Sequence, residues 1–217
     1  MVRSECAKCR VKLCRTERFE RNLLPQFCPM RNLEDTIQSA LPRYERADLR
    51  ELYLAATIGE KEAHERIRGM TVAVRPRIRE IAELAKRIKS GTIGVAFCVG
   101  LSDEAERAVE ILEGHGLEVH SVCCKCGAVD KTALGVSKEY KISDPDKFEA
   151  ACNPMVQAEV LNAAKTGFNV IVGLCVGHDM LFTLASKAPV TTLIVKDRVT
   201  GHNPLASLYV RYHRGLV

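Results

Sequence analysis

The chain has no tryptophan, few aromatic residues and no long apolar run. Only 5% of its 217 residues are Phe, Trp or Tyr, which argues against a stacking platform for single-stranded nucleic acid. No apolar run approaches the roughly 18 residues that a membrane-spanning helix needs. The first ten residues carry charges and cysteines and lack the apolar stretch of a secretory signal. We therefore expect a cytoplasmic protein that does not enter a membrane.

The motifs of several enzyme classes are also missing. The sequence has no G-x-x-x-x-G-K-S/T phosphate loop and no G-x-G-x-x-G after its first predicted strand, which argues against P-loop nucleotide hydrolysis and dinucleotide binding. It also lacks the G-x-S-x-G elbow of α/β-hydrolases and the H-E-x-x-H motif of zinc proteases. The chemistry of this chain must therefore be sought in its other residues.

Cysteine is the residue in excess, since the chain has ten. With 47% hydrophobic residues, a chain of this size buries a core without disulfides. Clustered cysteines in a reducing compartment are more often metal ligands or redox groups. The cysteines therefore predict metal or redox chemistry.

Positive charge is concentrated in the first part of the chain. Residues 1–90 hold 20 Lys and Arg against 13 Asp and Glu, a net charge of +7, whereas residues 91–217 carry −2. Such a basic portion attracts RNA or an acidic protein. A solvated, Arg-rich helical surface explains the same charge, and we prefer this second interpretation.

The sequence predicts three regions, which are a cysteine-rich knot over residues 1–30, a helical region over 31–89 and an α/β domain over 90–217. Apolar residues at helical spacing predict helices near 33–41, 46–58 and 61–89, and Pro76 is expected to kink or split the last one. From residue 91 on, strands alternate with helices. Such alternation predicts a small, four-stranded parallel sheet of flavodoxin-like or Rossmann-like type, with strands near 92–99, 117–122, 168–176 and 190–195.

Cysteines follow three of the four predicted strands. Ligands bind beyond the carboxyl ends of strands in such sheets, so thiolates there would converge on one centre. All-thiolate surroundings suit an iron–sulfur cluster, with a four-iron cluster (4Fe–4S) favoured, or zinc. The alternative is that single cysteines only fill the core. The first-choice ligands are Cys98, Cys124 and Cys175, and the next are Cys123 and Cys152.

The N-terminal knot carries a second set of four cysteines. A C-x2-C pair grips one ion through a tight turn, and two later cysteines complete the site. The spacing leaves zinc and a second iron–sulfur cluster open. Without a metal, residues 1–30 have too few apolar groups to hold a fold. The predicted ligands are Cys6, Cys9, Cys14 and Cys28.

Two polar segments follow the third and fourth predicted strands. His178 and Asp179 follow Cys175, and the string of residues 196–203 (KDRVTGHN) contains Asp197 and His202. These four residues are candidates for acid–base work or for orienting a ligand. The alternative is structural, because Asp near a helix start serves the helix dipole and Asp197 has cationic neighbours to pair with.

Together these segments resemble one family. CAKC at residues 6–9, FCPM at 27–30, GLCVGHD at 173–179 and KDRV with GHNP at 196–204 are similar to an uncharacterised group of cysteine-rich "metal-binding" proteins of bacteria and archaea. The resemblance implies metal binding and no particular reaction. Cys126 departs from the expected ligand positions. The arrangement of strand-end thiolates is also similar to that of small iron–sulfur desulfidases, an analogy of layout only.

The leading hypothesis is a cytoplasmic iron–sulfur metalloprotein that handles sulfur, electrons or a small substrate. An iron–sulfur lyase or a sulfur-handling enzyme would fit, with a small molecule or a redox protein as partner. The alternative is a zinc-stabilised binding module whose basic helices dock onto RNA or an acidic protein. Metal-free redox chemistry of the adjacent Cys123 and Cys124 ranks last, because adjacent cysteines make a poor disulfide.

Overall fold

A four-stranded parallel sheet forms the centre of the larger unit of the chain. The computed structural model describes residues 3–17 and 19–216. The strands are β3 (Thr92–Phe97), β4 (Glu118–Cys123), β5 (Phe168–Val172) and β6 (Val190–Ile194), in the order β4-β3-β5-β6. All three strand pairings are parallel. The predicted small parallel α/β sheet is confirmed.

The two inner strands are the most buried. Every residue of β5 is buried, and so are the four inner residues of β3. Their side chains are mostly Val, Ile and Ala, whose β-branched members favour strands; burying one Val or Ile side chain contributes about 1.5–3 kcal/mol. This packing fixes the register of the strands and therefore the position of the residues that follow them.

Four helices pack against the core of the sheet. They are α4 (Arg77–Arg87), α5 (Ser102–Gly114), α6 (Pro154–Ala163) and α7 (His178–Ala185). A further helix, α8 (Leu205–Tyr209), has no buried residue. The start of α6 follows the expected rule, because Pro154 occupies the first helical position and the Asn153 side chain accepts a hydrogen bond from the N–H of Val156. None of the described helices is both long and apolar enough to traverse a lipid bilayer.

The prediction of one helix from 61 to 89 is wrong. The helix α3 (Ala47–Glu62) ends early, and β1 (His64–Ile67) and β2 (Met70–Ala73) form an antiparallel hairpin before α4 begins. Arg68 and Gly69 form the two-residue loop, with φ values of 49° and 81°. Two consecutive positive φ angles are typical of a type I′ hairpin turn, for which glycine at the second position is suited. Pro76 does mark the helix boundary, since it directly precedes α4.

The chain divides into two compact units, Met1–Ala56 and Thr57–Val217. The first unit contains short 3-10 turns, α1 (Pro29–Asn32), α2 (Glu34–Ala40) and the beginning of α3. Leu24 is the one buried side chain among the described residues of the first thirty. This segment therefore has a very small apolar core of its own.

Candidate functional site

The ends of β3 and β4 place two cysteines side by side. Phe97 and Cys123 are the last paired residues, so Cys98 and Cys124 follow at matching positions. The N–H of Cys124 donates to the carbonyl of Phe97 at 2.8 Å. The two thiols lie close enough for each to act on the pKa of the other, and their residues are 5% and 1% exposed.

Cys152 brings a third thiol to the same place. It lies just before α6, where the N–H of Asn153 donates to the carbonyl of Cys124 at 2.7 Å. The thiols of Cys152 and Cys124 act on each other's pKa, so Cys124 interacts with a second cysteine besides Cys98. We name this group the cysteine triad: Cys98, Cys124 and Cys152.

Cations lie against the outer two members of the triad. The Lys196 ammonium donates to the Cys98 sulfur at 2.5 Å, and the Lys125 ammonium lies 3.5 Å from the Cys152 sulfur. The N–H of Val99 donates to the Cys124 sulfur at 3.3 Å. Positive charge and N–H donors stabilise thiolate over thiol, so the site is built for negatively charged sulfur.

The three thiols have different proton affinities. The hydrogen bond from Cys124, ahead of the Lys196 ammonium, lowers the pKa of Cys98 to about 4 although burial opposes it. The same thiol, followed by Lys125 and His178, lowers the pKa of Cys152 to about 5 against burial. Hydrogen bonds to Cys152 and Cys98, together with burial, raise the pKa of Cys124. Cys124 therefore keeps its proton more readily than either neighbour, and its single S–H can be donated to Cys98 or to Cys152.

Cys175 follows β5 at the same edge of the sheet and has a cation of its own. The Arg198 guanidinium donates to the Cys175 sulfur at 3.2 Å. The carbonyl of Cys175 accepts the N–H groups of His178 and Asp179, and so fixes the start of α7. Cys175 is therefore a fourth sulfur of the strand-end region, with a cationic partner different from those of the triad.

The two candidate residues at the start of α7, His178 and Asp179, have different partners. An Asp179 carboxylate oxygen accepts the N–H groups of Gly177 and Met180, so this side chain serves the turn into the helix. After the hydrogen bond from Cys124 and the charge of Lys125, the charge of His178 also lowers the pKa of Cys152, to a smaller extent. The His178 Nδ1 atom is buried without a partner among the described residues. Of this pair, His178 is the one that influences a thiol of the triad.

The other two candidates, Asp197 and His202, organise the loop after β6. One Asp197 oxygen accepts the N–H groups of Val199 and Thr200, and the N–H of Asp197 donates to Nδ1 of His202 at 3.1 Å. This loop carries Lys196 to Cys98 and Arg198 to Cys175. The contacts give Asp197 and His202 a role in shaping the loop, and proton transfer by them stays a prediction.

Cys123 and Cys126 are not members of the triad. Both side chains pack against the apolar core, and the N–H of Cys126 donates to the carbonyl of Cys123 at 3.0 Å. Since successive strand residues point to opposite faces, Cys123 is directed away from the face that Cys124 occupies.

The four N-terminal cysteines surround one pocket in the first unit. The pocket has a volume of about 120 Å³ and is also lined by Leu24, Phe27 and Met30. Hydrogen bonds from the backbone of Lys12, and less so of Val11, lower the pKa of Cys9. The structure thus brings the predicted N-terminal ligands to a common cavity: Cys6, Cys9, Cys14 and Cys28.

Metal coordination itself stays a prediction. Across residues 3–17 and 19–216, no three His, Cys, Asp or Glu side chains are arranged so that they would hold a metal ion. The cysteines approach one another at both predicted sites, but they do not form a finished coordination sphere.

The sequence assigned no role to four residues that contact the site. In the sequence, Lys196 and Arg198 are only parts of a polar segment, and Lys125 is only a neighbour of cysteines. Gln157 was missed altogether; it is fully buried in α6 and donates to two strand-end carbonyls. Its one sequence signal is a polar residue on the otherwise apolar, buried face of α6.

Comparisons with known proteins give a family without an assigned activity. A family model described as "Protein of unknown function (DUF1847)" matches residues 28–193, a range that includes the triad and Cys175. The uncharacterized protein MJ0455 of Methanocaldococcus jannaschii is 39% identical over 214 residues, which cover 96% of this chain and 95% of that protein. No solved structure matches.

Proposed function

This chain belongs to the DUF1847 family of proteins of unknown function, and from its own geometry we propose that it is a cytoplasmic metalloprotein that binds an iron–sulfur cluster at the strand-end cysteines. The observation that carries the proposal is the convergence of Cys98, Cys124 and Cys152, from three separate loops, through backbone hydrogen bonds of Cys124 and Asn153, with a lysine ammonium against each outer sulfur.

The donor chemistry supports a cluster. Iron–sulfur clusters are held by cysteine thiolates, and hydrogen bonds to the sulfurs tune them. The Val99 N–H and the Lys196 and Lys125 ammonium groups supply such bonds here.

The number of ligands bears on the chemistry. A cluster held by the triad alone leaves one iron for a substrate or an external ligand, whereas a fourth bond from Cys175 leaves none. We favour the triad, because Cys98, Cys124 and Cys152 interact with one another. This site would then serve an iron–sulfur lyase or a sulfur-handling enzyme with a small-molecule substrate, and His178 is the side chain placed to exchange protons beside it.

The N-terminal cysteines form a second proposed metal site. Four thiols around one small pocket match the ligand number of structural zinc or of a second cluster. Since the first thirty residues bury little apolar surface, a metal there would supply folding free energy. Its role is structural in this proposal.

Anaerobic purification with iron, sulfide and zinc analysis tests the proposed function. The wild-type protein is expected to be brown, with a visible absorption band that air bleaches, and Cys124→Ala is expected to lose that iron and sulfide. Cys123→Ala is the matched control, because Cys123 is the neighbour of Cys124 in the sequence but lies outside the triad. This variant should keep the iron and the sulfide. A colourless wild type with stoichiometric zinc would favour the binding-module alternative with RNA or an acidic protein as partner. A Cys124→Ala protein with the full wild-type content of iron and sulfide would refute the site.

A further inference from the structure

Gln157 is a fully buried amide that lies beneath the cysteine triad. It belongs to the first turns of α6 and is 0% exposed. Its Nε2 group donates to the carbonyl of Val122 at 2.7 Å and to the carbonyl of Phe97 at 3.1 Å. One side chain thus binds both β3 and β4.

The two carbonyls lie at the last step of the ladder. Phe97 immediately precedes Cys98, and its carbonyl also accepts the N–H of Cys124. Beyond this step β3 turns into a 3-10 segment and β4 into a turn, so no further ladder bonds hold the two strands together. The Gln157 amide therefore reinforces the final bond that sets the distance between Cys98 and Cys124.

This residue is a poor choice for stability alone. The Gln157 Oε1 atom is buried and has no hydrogen-bond partner among the described residues. A buried acceptor without a partner is destabilising, and an apolar side chain of similar shape avoids the loss. Departures of this kind from ordinary packing are expected at functional sites.

We propose that Gln157 is a positioning residue that holds Cys98 and Cys124 at the separation the strand-end site requires. That this separation serves to bind a cluster rests on the proposed function. That Gln157 sets the separation does not. Without the amide, the ends of β3 and β4 fray and the two sulfurs lose their fixed distance.

Disulfide trapping in the metal-free full-length chain measures that distance directly. A diazene oxidant takes two electrons and two protons from a pair of thiols, and peptide mapping quantifies the Cys98–Cys124 bond. Since disulfide geometry is strict, Gln157→Met is expected to slow formation of this bond by up to about 100-fold, the cost of a misplacement of about 1 Å between reacting groups. Gln157→Leu also removes the amide donors at similar volume and serves as the second variant if the first fails to fold.

Asn162→Leu is the matched control. Asn162 is also an α6 amide and donates to the carbonyl of Ala185 at 3.0 Å, at the far end of the helix from the cysteines. It should leave the trapping rate unchanged even where it lowers the free energy of unfolding. A folded Gln157 variant that traps the bond at the wild-type rate overturns the proposal. The readout needs no iron, so a wild type without a cluster would end the proposed function while this test still decides the role of Gln157.

Discussion

The ammonium of Lys196 lies 2.5 Å from the sulfur of Cys98, 98 residues away in the sequence. Lys196 follows β6 and Cys98 follows β3, and β5 lies between these strands. The contact therefore reaches across a whole strand at the carboxyl edge. It ties the loop of Asp197 and His202 to the triad and gives the buried thiol a positive neighbour.

Removal of this charge is expected to weaken retention of the cluster. Lys196→Met keeps most of the side-chain volume but cannot donate to the Cys98 sulfur. Loss of an outer-shell partner of a metal ligand typically lowers metal affinity about 10- to 100-fold. Iron release to a chelator, followed under argon, measures the effect. Lys187→Met removes an exposed lysine of the same unit and should release iron at the wild-type rate; equal rates for both variants contradict the role of Lys196.

Much of the strand-end site follows from the sequence alone. The apolar strands, the helix start at Asn153 and the placement of Cys98 and Cys124 after strands all depend on local patterns, so they are predictable. The third member of the triad is not. Cys152 precedes a helix instead of following a strand, and only the path of the loop from residue 124 to residue 153 brings it back.

The cations and Gln157 could not be assigned for a related reason. Whether Lys196 reaches Cys98 depends on the order of the strands, which the sequence does not determine. Gln157 looks like an ordinary polar helix residue until its burial is known. The hairpin at 64–73 was missed because its charged residues also fit a helical surface, and only the Arg68-Gly69 pair signals a turn.

The N-terminal metal is expected to hold the first thirty residues together. In Cys9→Ala one of the four thiols around the pocket is lost, and little apolar burial remains to replace its contribution. Proteolysis within residues 3–30 should become at least about tenfold faster, which corresponds to about 1.4 kcal/mol in local opening. Cys126→Ala, in the other unit, should leave that cleavage unchanged. An unaltered digestion pattern in Cys9→Ala would remove the folding role of the metal.

The loop between β4 and α6 should make stability depend on pH through Asp130. Its carboxylate accepts from the hydroxyl and N–H of Thr132 and the N–H of Glu149, and it pairs with Lys141. These bonds, that of the Thr132 hydroxyl first, lower the pKa of Asp130. A carboxyl with a lowered folded-state pKa stabilises the fold above its unfolded value of about 3.9 and loses this effect as pH falls towards the folded value.

Asp130→Asn should therefore be less stable than the wild type at pH near 7, and the difference should shrink at pH near 3. Urea unfolding at both values measures it. Asp146→Asn is the control, because the Asp146–Lys138 pair is largely exposed and such pairs contribute little. A difference of the same size at both pH values would show that Asp130 acts through something other than its charge.

Gly173 tests whether tight packing behind Cys98 matters for the site. The N–H of Cys98 donates to Val172, the residue before Gly173, and a Cβ at Gly173 would lie 2.6 Å from a Leu101 methyl group. Its φ of +66° also disfavours any L side chain. Gly173→Ala should lower the free energy of unfolding by about 2–4 kcal/mol, from the backbone and overpacking effects together.

A control separates these two effects. Gly116 has a φ of +77° and open space where a Cβ would lie, so Gly116→Ala carries the backbone cost alone, about 1–2 kcal/mol. The loss of unfolding free energy in Gly173→Ala beyond this backbone cost should then shrink in the double variant Gly173→Ala with Leu101→Val, because the shorter side chain relieves the clash. If the excess comes from Leu101, the double variant should also recover the Cys98–Cys124 trapping rate that Gly173→Ala loses. If the losses of unfolding free energy in Gly173→Ala and Leu101→Val simply add in the double variant, Leu101 does not transmit the strain to Cys98.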